Sequence, residues 1–469
     1  MVMGTRTRTT TFLAALALVA AGCSSGGGDS GGGGGQSGDS LTVWTIEDVA
    51  DRVTAQKKMA EDFTKKTGIN VKIVAVAEDQ FDQAITSAAA ADTLPDVVAA
   101  LPLSALRTLE SGDLLDTDTA KKVVDDLGAD TFAARSLELT KDGDKQLGVP
   151  SDGWGQLLVY RRDMFDKAGL AAPTTYDKIQ QAAQALNGKN GVAGITLATA
   201  PGNSFTEQTF EYLAQANGCE LVGNDKKVTL DSPQCVRTFD FYSNLAKNYS
   251  VKGNQTDDST RATYFAGKAA MIIWSSFILD EMAGLRKDAL PSCPECKSVP
   301  SFLAQNSGIV TSIQGPDGKE PSSYGEIVSF ATTTSAPKDS AAKFIEYMMS
   351  DAYLRWLGIA PEGKVPTRQG TKPGDTSYLD AWQKLKAGVD TKAPLSDFYD
   401  PDVLNAVQKA PETFNRWGLP QGQGALVGAM QGPLPVPKAL AELINGKGDA
   451  AAAAQSAQKA VEELQKGTN

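Results

Sequence analysis

The residues best suited to binding chemistry lie in one stretch of the chain, residues 147–165. Trp154 stands there between Gly153 and Gly155, so its indole ring has no immediate side-chain neighbour to pack against. Either distant parts of the chain cover the ring as core, or the ring offers its face to a ligand. An aromatic ring that stacks contributes about 1 kcal/mol beyond the area it buries. Both interpretations of Trp154 stay open at this point.

The neighbouring residues predict the elements that position this tryptophan. Pro150 biases the residue before it toward extended geometry, and residues 151–153 have the composition of a turn. Residues 157–160 form a continuous apolar run, typical of a strand that is buried on both faces. We therefore predict Trp154 on a loop that leads into a buried strand, where the chain passes between two lobes.

Length and composition exclude several classes of protein. A chain of 469 residues is too long for a single compact core, so two domains or lobes are expected. The net charge of −11 argues against nucleic acid as a partner, which needs a basic surface. The absence of histidine removes the commonest general base, the Ser-His-Asp and Cys-His nucleophiles and every histidine-ligated zinc site. We predict no metal site and no cofactor, and an enzyme would have to rely on carboxylates.

Residues 1–23 have the features of a lipoprotein signal peptide. Two arginines give a positive start, and the apolar run 12–20 is too short to span a bilayer. Residues 18–23 resemble a bacterial lipobox, in which Cys23 is lipidated, although Ala20 stands where leucine is usual. A plain secretory signal with a free cysteine is the alternative.

A flexible tether follows this cysteine. Residues 24–40 contain nine glycines and five serines among seventeen residues, and such a segment has a mean span of roughly 20–25 Å. A tether next to a lipidated cysteine holds a domain at a membrane while leaving it free to turn. We therefore predict a lipid-anchored protein at the extracellular face of the cell membrane.

The remaining cysteines form an even set, which outside the cytoplasm indicates disulfides. Three pairings are possible, and proximity favours the first with the second and the third with the fourth. The Cys-Pro-Glu-Cys motif also suggests redox chemistry or half a zinc site, but its flanking prolines argue against a thioredoxin-like helix start. The four residues are Cys219, Cys235, Cys293 and Cys296.

The first elements of the chain predict a parallel sheet. A strand at 41–44, a helix with one apolar stripe ending at Gly68 and a strand at 71–77 make a right-handed strand–helix–strand unit. The loop 45–48 lies at the carboxyl end of the first strand, where ligands bind in open α/β sheets. Glu47 and Asp48 either cap the helix or contact such a ligand.

Alternating helices and strands are predicted along the rest of the chain. Helices are predicted at 81–91, 117–139, 164–170, 176–186, 207–217, 236–247, 340–350, 381–387, 401–409, 437–444 and 449–464. Strands are predicted at 94–101, 194–199, 227–230 and 325–332, with a helix end, turn and strand over 265–274 and a turn at 364–368.

Several loose motifs, taken in order, resemble the family 1 extracellular solute-binding proteins of ATP-driven carbohydrate importers, the maltose-binding protein type. The resemblance covers roughly residues 40–460. Its motifs are the Val43-Trp44 opening, 94–98 (Leu-Pro-Asp-Val-Val), 148–151 (Gly-Val-Pro-Ser), 160–165 (Tyr-Arg-Arg-Asp-Met-Phe), 228–233 (Val-Thr-Leu-Asp-Ser-Pro), 265–271 (Phe-Ala-Gly-Lys-Ala-Ala-Met) and 364–368 (Lys-Val-Pro-Thr-Arg).

The resemblance implies an α/β fold of the type II periplasmic-binding-protein kind, with two hinged lobes on mostly parallel sheets. The first lobe would take residues 41–150 and about 301–368, and the second 151–300 and about 369–469. The lobes would close on a ligand by hinge bending. We expect a monomer that catalyses nothing and delivers its ligand to the transmembrane subunits of an ABC permease.

The resemblance also implies where ligand contacts lie. The family commonly has a Gly-x-Trp after one strand; here Trp274 comes early and Phe277 takes the aromatic position, so either ring is a candidate. Tyr324 and Trp417 are equally compatible with core positions, and Arg368 with the surface. The predicted ligand-binding residues are Glu47, Asp48, Asp152, Trp154, Trp274, Ser275, Phe277, Tyr324, Arg368 and Trp417.

Carbohydrate chemistry fits this set of residue types. Sugars present hydroxyls at their edges and weakly positive C–H groups on their faces, which suit carboxylates or amides and aromatic rings respectively. One alternative keeps the fold and changes the ligand to a polyol phosphate or a polyamine. The other is a secreted carboxylate-based glycosidase, which needs two acidic groups roughly 5–10 Å apart across a cleft.

Overall fold

The computed structural model describes residues 40–77 and 80–468. The predicted signal peptide, Cys23 and the tether up to residue 39 lie outside the described residues. The described residues form one compact unit.

The strands, numbered in chain order, include one that is much longer than the others. They are β1 (Ser40–Thr45), β2 (Asn70–Ala75), β3 (Val97–Pro102), β4 (Lys141–Asp142), β5 (Lys145–Gln146), β6 (Val149–Arg161), β7 (Met271–Ser275), β8 (Ser307–Val310), β9 (Ser323–Thr332), β10 (Val365–Pro366), β11 (Lys386–Ala387), β12 (Ala393–Pro394) and β13 (Phe414–Asn415).

The helices surround these strands, and most of the predicted ones are present. They are α1 (Ala50–Thr67), α2 (Phe81–Ala90), α3 (Leu103–Ser111), α4 (Thr117–Leu127), α5 (Ala134–Leu139), α6 (Arg162–Ala168), α7 (Tyr176–Leu186), α8 (Ser204–Ala216), α9 (Pro233–Tyr249), α10 (Asp257–Phe265), α11 (Ile278–Met282), α12 (Phe302–Asn306), α13 (Lys338–Met348), α14 (Tyr353–Leu357), α15 (Ser377–Trp382), α16 (Pro401–Lys409), α17 (Gly424–Met430), α18 (Pro435–Ile444) and α19 (Ala450–Lys466).

The main sheet is mixed and runs in the order β10-β6-β9-β3-β1-β2. Strands β2 and β3 lie parallel to β1 on either side of it, as the strand–helix–strand pattern predicted. Strand β9 is antiparallel to both β3 and β6. The carboxyl ends of β1 and β3 therefore open at the same edge of the sheet, which is where the loop at Glu47 and the start of α3 lie.

Strand β6 belongs to two groups of strands. Its first half, up to Gly155, pairs with β9 and β10, and its second half, from Gln156, pairs with β7 and β8. Apolar side chains of the second half, such as Leu158, pack in a cluster with α7, α8, α9, α18 and α19. One continuous strand thus joins two groups of paired strands, with Trp154 close to the point of change, while Leu157 and Val159 of its second half pack in one cluster with Val149 of its first half.

The predicted turn at residues 151–153 is wrong, because the chain continues through it as strand. A β-bulge between Pro150 and Asp152 accommodates the proline within the pairing to β9. The polar side chains that suggested a turn bond to other elements instead: the Ser151 hydroxyl donates to the Val328 carbonyl (3.1 Å), and the Asp152 carboxylate accepts from the Trp356 indole N–H (2.7 Å).

The predicted strand at 194–199 is also absent as a regular strand. Its residues are buried, but their backbone N–H groups donate to scattered partners, from Ile195 to Tyr249, from Thr196 to Met271 and from Thr199 to Gln255. Only single bridges form, between Thr196 and Ile272 among others. The apolar run therefore predicted the burial of these residues correctly, but the prediction that they pair as a regular strand was wrong.

Two disulfides join the cysteines as proximity favoured. Cys219 is bonded to Cys235 across a sequence separation of 16, and Cys293 to Cys296 across a separation of 3. The first joins the segment after α8 to the first turn of α9. All four cysteines are buried.

Candidate ligand-binding site

The largest candidate site is a cavity of about 620 Å³, called the main cavity here. Its walls come from the loop after β1, the starts of α2, α3 and α8, the middle of β6 and the residues after β7. Two of these loops follow the carboxyl ends of β1 and β3, as the sheet pattern predicted. Both groups of strands that β6 joins contribute to the walls.

Three aromatic side chains from the predicted set line the main cavity together, Trp154, Trp274 and Phe277. The half-buried Trp154 ring lies 6.5 Å from the Phe277 ring, centroid to centroid, at an interplanar angle of 61°. Trp274 is 7% exposed, and its indole N–H donates to the Asp257 carbonyl (3.1 Å), which fixes the ring. The cavity therefore has aromatic surfaces set at different angles.

The glycines beside Trp154 have a packing reason that the sequence did not reveal. A Cβ at Gly153 would lie 2.9 Å from the Glu326 carbonyl oxygen, and one at Gly155 would lie 3.2 Å from the Phe414 ring. Phe414 thus packs against the strand where these side chains would be. The glycines admit this close approach, while the ring of Trp154 reaches the main cavity.

Polar side chains complete the lining. Ser275, which belonged to the predicted set, and Ser104, at the end of a strand predicted to face the cleft, lie beside hydroxyl and amide groups that the sequence analysis missed, those of Asn203, Ser204, Gln208 and Gln431. Asn203 is the N-cap of α8, where its side chain accepts from the Phe205 N–H (2.9 Å). The Asn-Ser pair was the available signal for this helix start, which was predicted three residues too late.

Glu47 and Asp152 belong to a buried ion cluster outside the cavity lining. The Lys364 cluster, defined as Glu47, Arg52, Asp152 and Lys364, places the Lys364 ammonium 2.7 Å from Glu47 and 3.2 Å from Asp152. Arg52 lies 2.8 Å from Glu47 and also 3.7 Å from Glu362. Each of the two predicted carboxylates is therefore already paired with a cation.

Electrostatics in this cluster acts in opposite directions on the two carboxylates: burial raises the pKa of Asp152 although Lys364 opposes it, whereas the pKa of Glu47 is lowered. Burial by itself would raise the pKa of Glu47, but the charges of Lys364 and Arg52 outweigh it and lower that pKa to about 2. The Arg52 guanidinium lies 5.4 Å from the centre of the Phe277 ring. Glu47 thus supports a cavity aromatic indirectly, through Arg52, and Asp48 on the same loop is exposed.

Arg368 lies neither at the surface nor in the main cavity. It is 4% exposed, and its guanidinium donates to the carbonyls of Leu127 (2.9 Å) and Met349 (2.6 Å) and to the Thr131 hydroxyl (3.0 Å). These bonds satisfy carbonyls at the ends of two helices, α4 and α13. The geometry gives Arg368 a structural role.

Tyr324 and Trp417 lie deeper, around a second space of about 30 Å³ that we call the inner chamber. Ser104, Ser204, Gln208 and Gln431 line both the chamber and the main cavity, so the two adjoin. Tyr324 is 1% exposed, and its ring centroid lies 6.5 Å from that of Trp154. The Trp417 indole N–H donates to the Cys219 carbonyl (2.8 Å).

Four charged side chains, called the Arg416 cluster, line the inner chamber: Glu207, Glu211, Glu326 and Arg416. Arg416 pairs with Glu326 (2.6 Å) and Glu211 (3.4 Å). Burial, assisted by the neighbouring Glu211 charge and opposed by Arg416, raises the pKa of Glu207 to about 8. The sequence analysis missed this cluster entirely.

Within residues 40–77 and 80–468, no group of three or more His, Cys, Asp or Glu side chains is arranged to hold a metal ion. Over the same residues, every helix is too short or too polar to cross a membrane.

The family of bacterial extracellular solute-binding proteins matches residues 47–354 of this chain. The chain belongs to that family. The match begins at Glu47 and includes strand β6 and the loop after β7. Fold and family were therefore both predicted correctly from the ordered motifs.

Two proteins similar to this chain are also named as binding proteins. The Escherichia coli (strain K12) protein described as "Putative ABC transporter periplasmic-binding protein YcjN" is 26% identical over 426 residues, 88% of this chain and 90% of that protein. The diacetylchitobiose binding protein DasA of Streptomyces coelicolor is 24% identical over 375 residues, 78% of this chain and 80% of that protein. Both are named as binding proteins rather than enzymes.

A solved structure shows the same fold. The GacH receptor of Streptomyces glaucescens GLA.O, solved unliganded and with acarbose, superposes with a TM-score of 0.68 at 19% identity, over 92% of this chain and 99% of the receptor. The α/β two-lobe fold is thereby confirmed.

Proposed function

We propose that this solute-binding protein binds a carbohydrate in the main cavity and delivers it to an ABC permease without catalysing a reaction. The observation that carries the proposal is the joint lining of one cavity by Trp154, Trp274 and Phe277 with hydroxyl and amide side chains. Aromatic faces suit the C–H faces of sugar rings, and amides and hydroxyls suit their edges. A ligand without ring faces would leave the three aromatic side chains without a matching surface.

The required free energy is attainable with these groups. A micromolar ligand needs about −8 kcal/mol, and each stacked ring supplies about 1 kcal/mol beyond area burial. The rings therefore supply only part of the affinity. Polar contacts such as those of Gln208 and Asn203, and closure of the lobes, supply the rest.

The names of two similar proteins support the carbohydrate class. DasA is named for diacetylchitobiose, and the GacH receptor was solved with acarbose. A polyol phosphate is less well suited, because no described residue lining the main cavity is a lysine or an arginine. A phosphate dianion would need such cations or a row of backbone donors.

The lobe division that we predicted remains part of the proposal. Lobe 1 takes residues 41–150 and about 301–368, and lobe 2 takes 151–300 and about 369–469. Support comes from β6, which pairs with β9 of lobe 1 in its first half and with β7 of lobe 2 in its second half. Strand β8 also pairs with the second half, although the predicted bounds assign its residues to lobe 1. Closure of the lobes would bring lobe-1 lining residues such as Ser104 and the lobe-2 rings of Trp154 and Phe277 against a sugar from opposite sides.

A lipid anchor at Cys23 is the second part of the proposal. The positive start, the apolar run and the Gly/Ser tether support it. The variant Cys23→Ser should move the protein from the membrane fraction to the medium, or leave it unprocessed. Normal processing with unchanged membrane retention would contradict the anchor.

A thermal-shift screen over sugars, polyols, polyol phosphates and polyamines tests the ligand class. A ligand that binds only the folded state raises the melting temperature, by about 2.7 kcal/mol of added stability at a hundredfold excess over Kd. We expect the largest shifts from sugars. Shifts confined to phosphates or polyamines, or no shift from any sugar, would overturn the carbohydrate proposal.

The same ligands separate binding from catalysis. Oligosaccharides that shift the melting temperature should be recovered intact after prolonged incubation with the protein, as judged by chromatography. Hydrolysis that disappears on substitution of a cavity carboxylate such as Asp257 would instead establish the glycosidase alternative.

A further inference from the structure

The inner chamber is a polar dead end next to the main cavity. Its volume of about 30 Å³ is enough for roughly two water-sized groups, since one such group needs about 10–15 Å³. A sugar ring is far too large to enter. A substituent of one or two non-hydrogen atoms on a ring held in the main cavity is the largest group that fits.

Two of the three carboxylates around the chamber are already satisfied. Glu326 accepts from Arg416 (2.6 Å) and from the Leu103 backbone N–H (2.7 Å). Glu211 accepts from the Trp417 backbone N–H (2.6 Å) and the Gln215 amide (2.9 Å), and it pairs with Arg416 (3.4 Å). The single guanidinium is therefore committed to these two residues.

Glu207 is the carboxyl group that remains. It is 5% exposed, it lines the chamber, and its Oε1 has no hydrogen-bond partner. Among described residues, Glu207 makes no ion pair within 4 Å. A buried carboxyl oxygen without a partner costs stability, and such a group calls for a partner supplied from elsewhere.

Tyr324 gives an independent indication of the same kind. Its side chain is 1% exposed and lines the chamber, and its hydroxyl has no hydrogen-bond partner. The ring is held in place by the Arg416 guanidinium, 5.0 Å from its centroid. Two buried polar groups of different chemistry are thus unpaired around one small space.

We propose that the inner chamber receives a protonated amino group carried by the bound carbohydrate, with Glu207 as its counter-ion and the Tyr324 hydroxyl as a second acceptor. An ammonium group has three donors and one positive charge, which matches an unpaired carboxyl group and a hydroxyl. An N-acetylated amine exceeds the size of the chamber and carries no charge. This inference rests on the proposed function, because the amine arrives on a sugar bound in the main cavity.

Binding of a protonated amine should release the proton that Glu207 holds in the free protein. With a pKa of about 8, Glu207 holds a proton in the free protein at neutral pH. Charged and titratable groups near it are Glu211 on the same helix and Arg416, Glu326 and Tyr324 from other elements. An incoming ammonium group favours the ionised carboxylate, so the Glu207 proton leaves to the buffer as the ion pair forms.

The test uses β-1,4-linked oligosaccharides that share one skeleton and differ only at C2. Chitosan oligosaccharides carry an amine on every ring, so each ring that binds in the main cavity presents one. Their N-acetylated forms and the cello-oligosaccharides are the matched comparisons. Calorimetric titration at a pH below the pKa of the free amine, where the amine arrives already protonated, in two buffers of different ionisation enthalpy, gives both Kd and the number of protons exchanged.

We expect the amine form to bind at least tenfold more tightly than the hydroxyl form, with release of up to one proton. Glu207→Gln should abolish both the preference and the proton release while leaving cello-oligosaccharide affinity within twofold. Glu207→Asp should retain part of both. Glu220→Gln is the matched control, because desolvation likewise raises the pKa of Glu220, to about 7, but Glu220 lies outside the linings of the chamber and the main cavity.

The outcomes separate the two proposals. Equal binding of amine and hydroxyl forms, or tighter binding of the N-acetylated form, overturns the inference and leaves carbohydrate binding intact. An amine preference that survives Glu207→Gln also overturns it. A protein that binds no sugar in the wider screen overturns the proposed function itself.

Discussion

Two buried ion clusters lie near the main cavity, and they differ in how completely their charges are paired. In the Lys364 cluster, Glu47 and Asp152 each have a cation within 3.2 Å. In the Arg416 cluster, the one cation is shared by Glu211 and Glu326, and Glu207 has none. Only the second cluster lines a space next to the cavity. The comparison suggests that full pairing marks structural charges and incomplete pairing marks a group available to a ligand.

The pKa values of two glutamates express the same difference. Cations reverse the effect of burial at Glu47 and lower its pKa to about 2, whereas burial prevails at Glu207 and raises its pKa to about 8. Both side chains are largely buried, with side-chain exposure of 12% for Glu47 and whole-residue exposure of 5% for Glu207. Because both glutamates are buried, the neighbouring charges decide whether the pKa is lowered or raised.

Removing the cation of the paired cluster should have the largest effect. Lys364→Met leaves Glu47 paired with Arg52 and Asp152 without a cation, and breaking a buried pair costs about 3–5 kcal/mol of unfolding free energy. The affinity of the remaining folded protein for its sugar should change little. Urea unfolding and calorimetric titration measure the two quantities.

Lys57→Met is the matched control, because Lys57 is exposed on α1 and surface changes usually stay within about 0.5 kcal/mol. If Lys364→Met instead abolished sugar binding at unchanged stability, the Lys364 cluster would be a ligand site and the comparison would fail.

The stability changes caused by Glu47→Gln and by Glu207→Gln should depend on pH with opposite signs. Glu47 has a lowered pKa, so its stabilisation is present above its ordinary value of 4.5 and is lost as the pH falls toward about 2. Glu47→Gln should therefore cost about 3 kcal/mol near neutral pH, by 1.36 kcal/mol per pKa unit, and progressively less below about pH 4.5.

Glu207 has a raised pKa, so its favourable contribution is complete below 4.5 and is lost as the pH rises through about 8. Glu207→Gln should match the parent protein in acid and become the more stable of the two by on the order of 1–3 kcal/mol near neutral pH. Urea unfolding of both variants across this pH range measures the trends. Two trends of the same sign would remove the basis of the comparison.

Much of the fold was predictable because the signals are local. Helix α1 shows its 3.6-residue apolar spacing and ends at Gly68 in a left-handed conformation, as the sequence indicated. The parallel pairing of β1 and β2 followed from one strand–helix–strand pattern. The turn expected at 151–153 failed because Ser151 and Asp152 bond to partners about 180–200 residues away.

The candidate site was predictable only where a single residue carries the signal. Trp154, Trp274, Ser275 and Phe277 line one cavity, whereas Asp152 and Arg368 are buried among structural partners. The Arg416 cluster could not be predicted, because Arg416 meets Glu211 and Glu326 across separations of 205 and 90 residues. Charge pairing over such distances depends on the completed fold.

The most direct test of carbohydrate binding in the main cavity is a calorimetric titration of Trp154→Ala with the sugar that gives the largest thermal shift. Stacking on that ring predicts weaker binding by about 1–3 kcal/mol, roughly 5- to 150-fold, with a largely unchanged melting curve. Trp44→Ala is the control, because Trp44 is also half-buried but packs against the core beside β3, and it should leave the affinity unchanged. A large fall in the melting temperature of Trp154→Ala, of the size expected for the loss of about 3–5 kcal/mol from a core residue, together with unchanged affinity, would contradict the account.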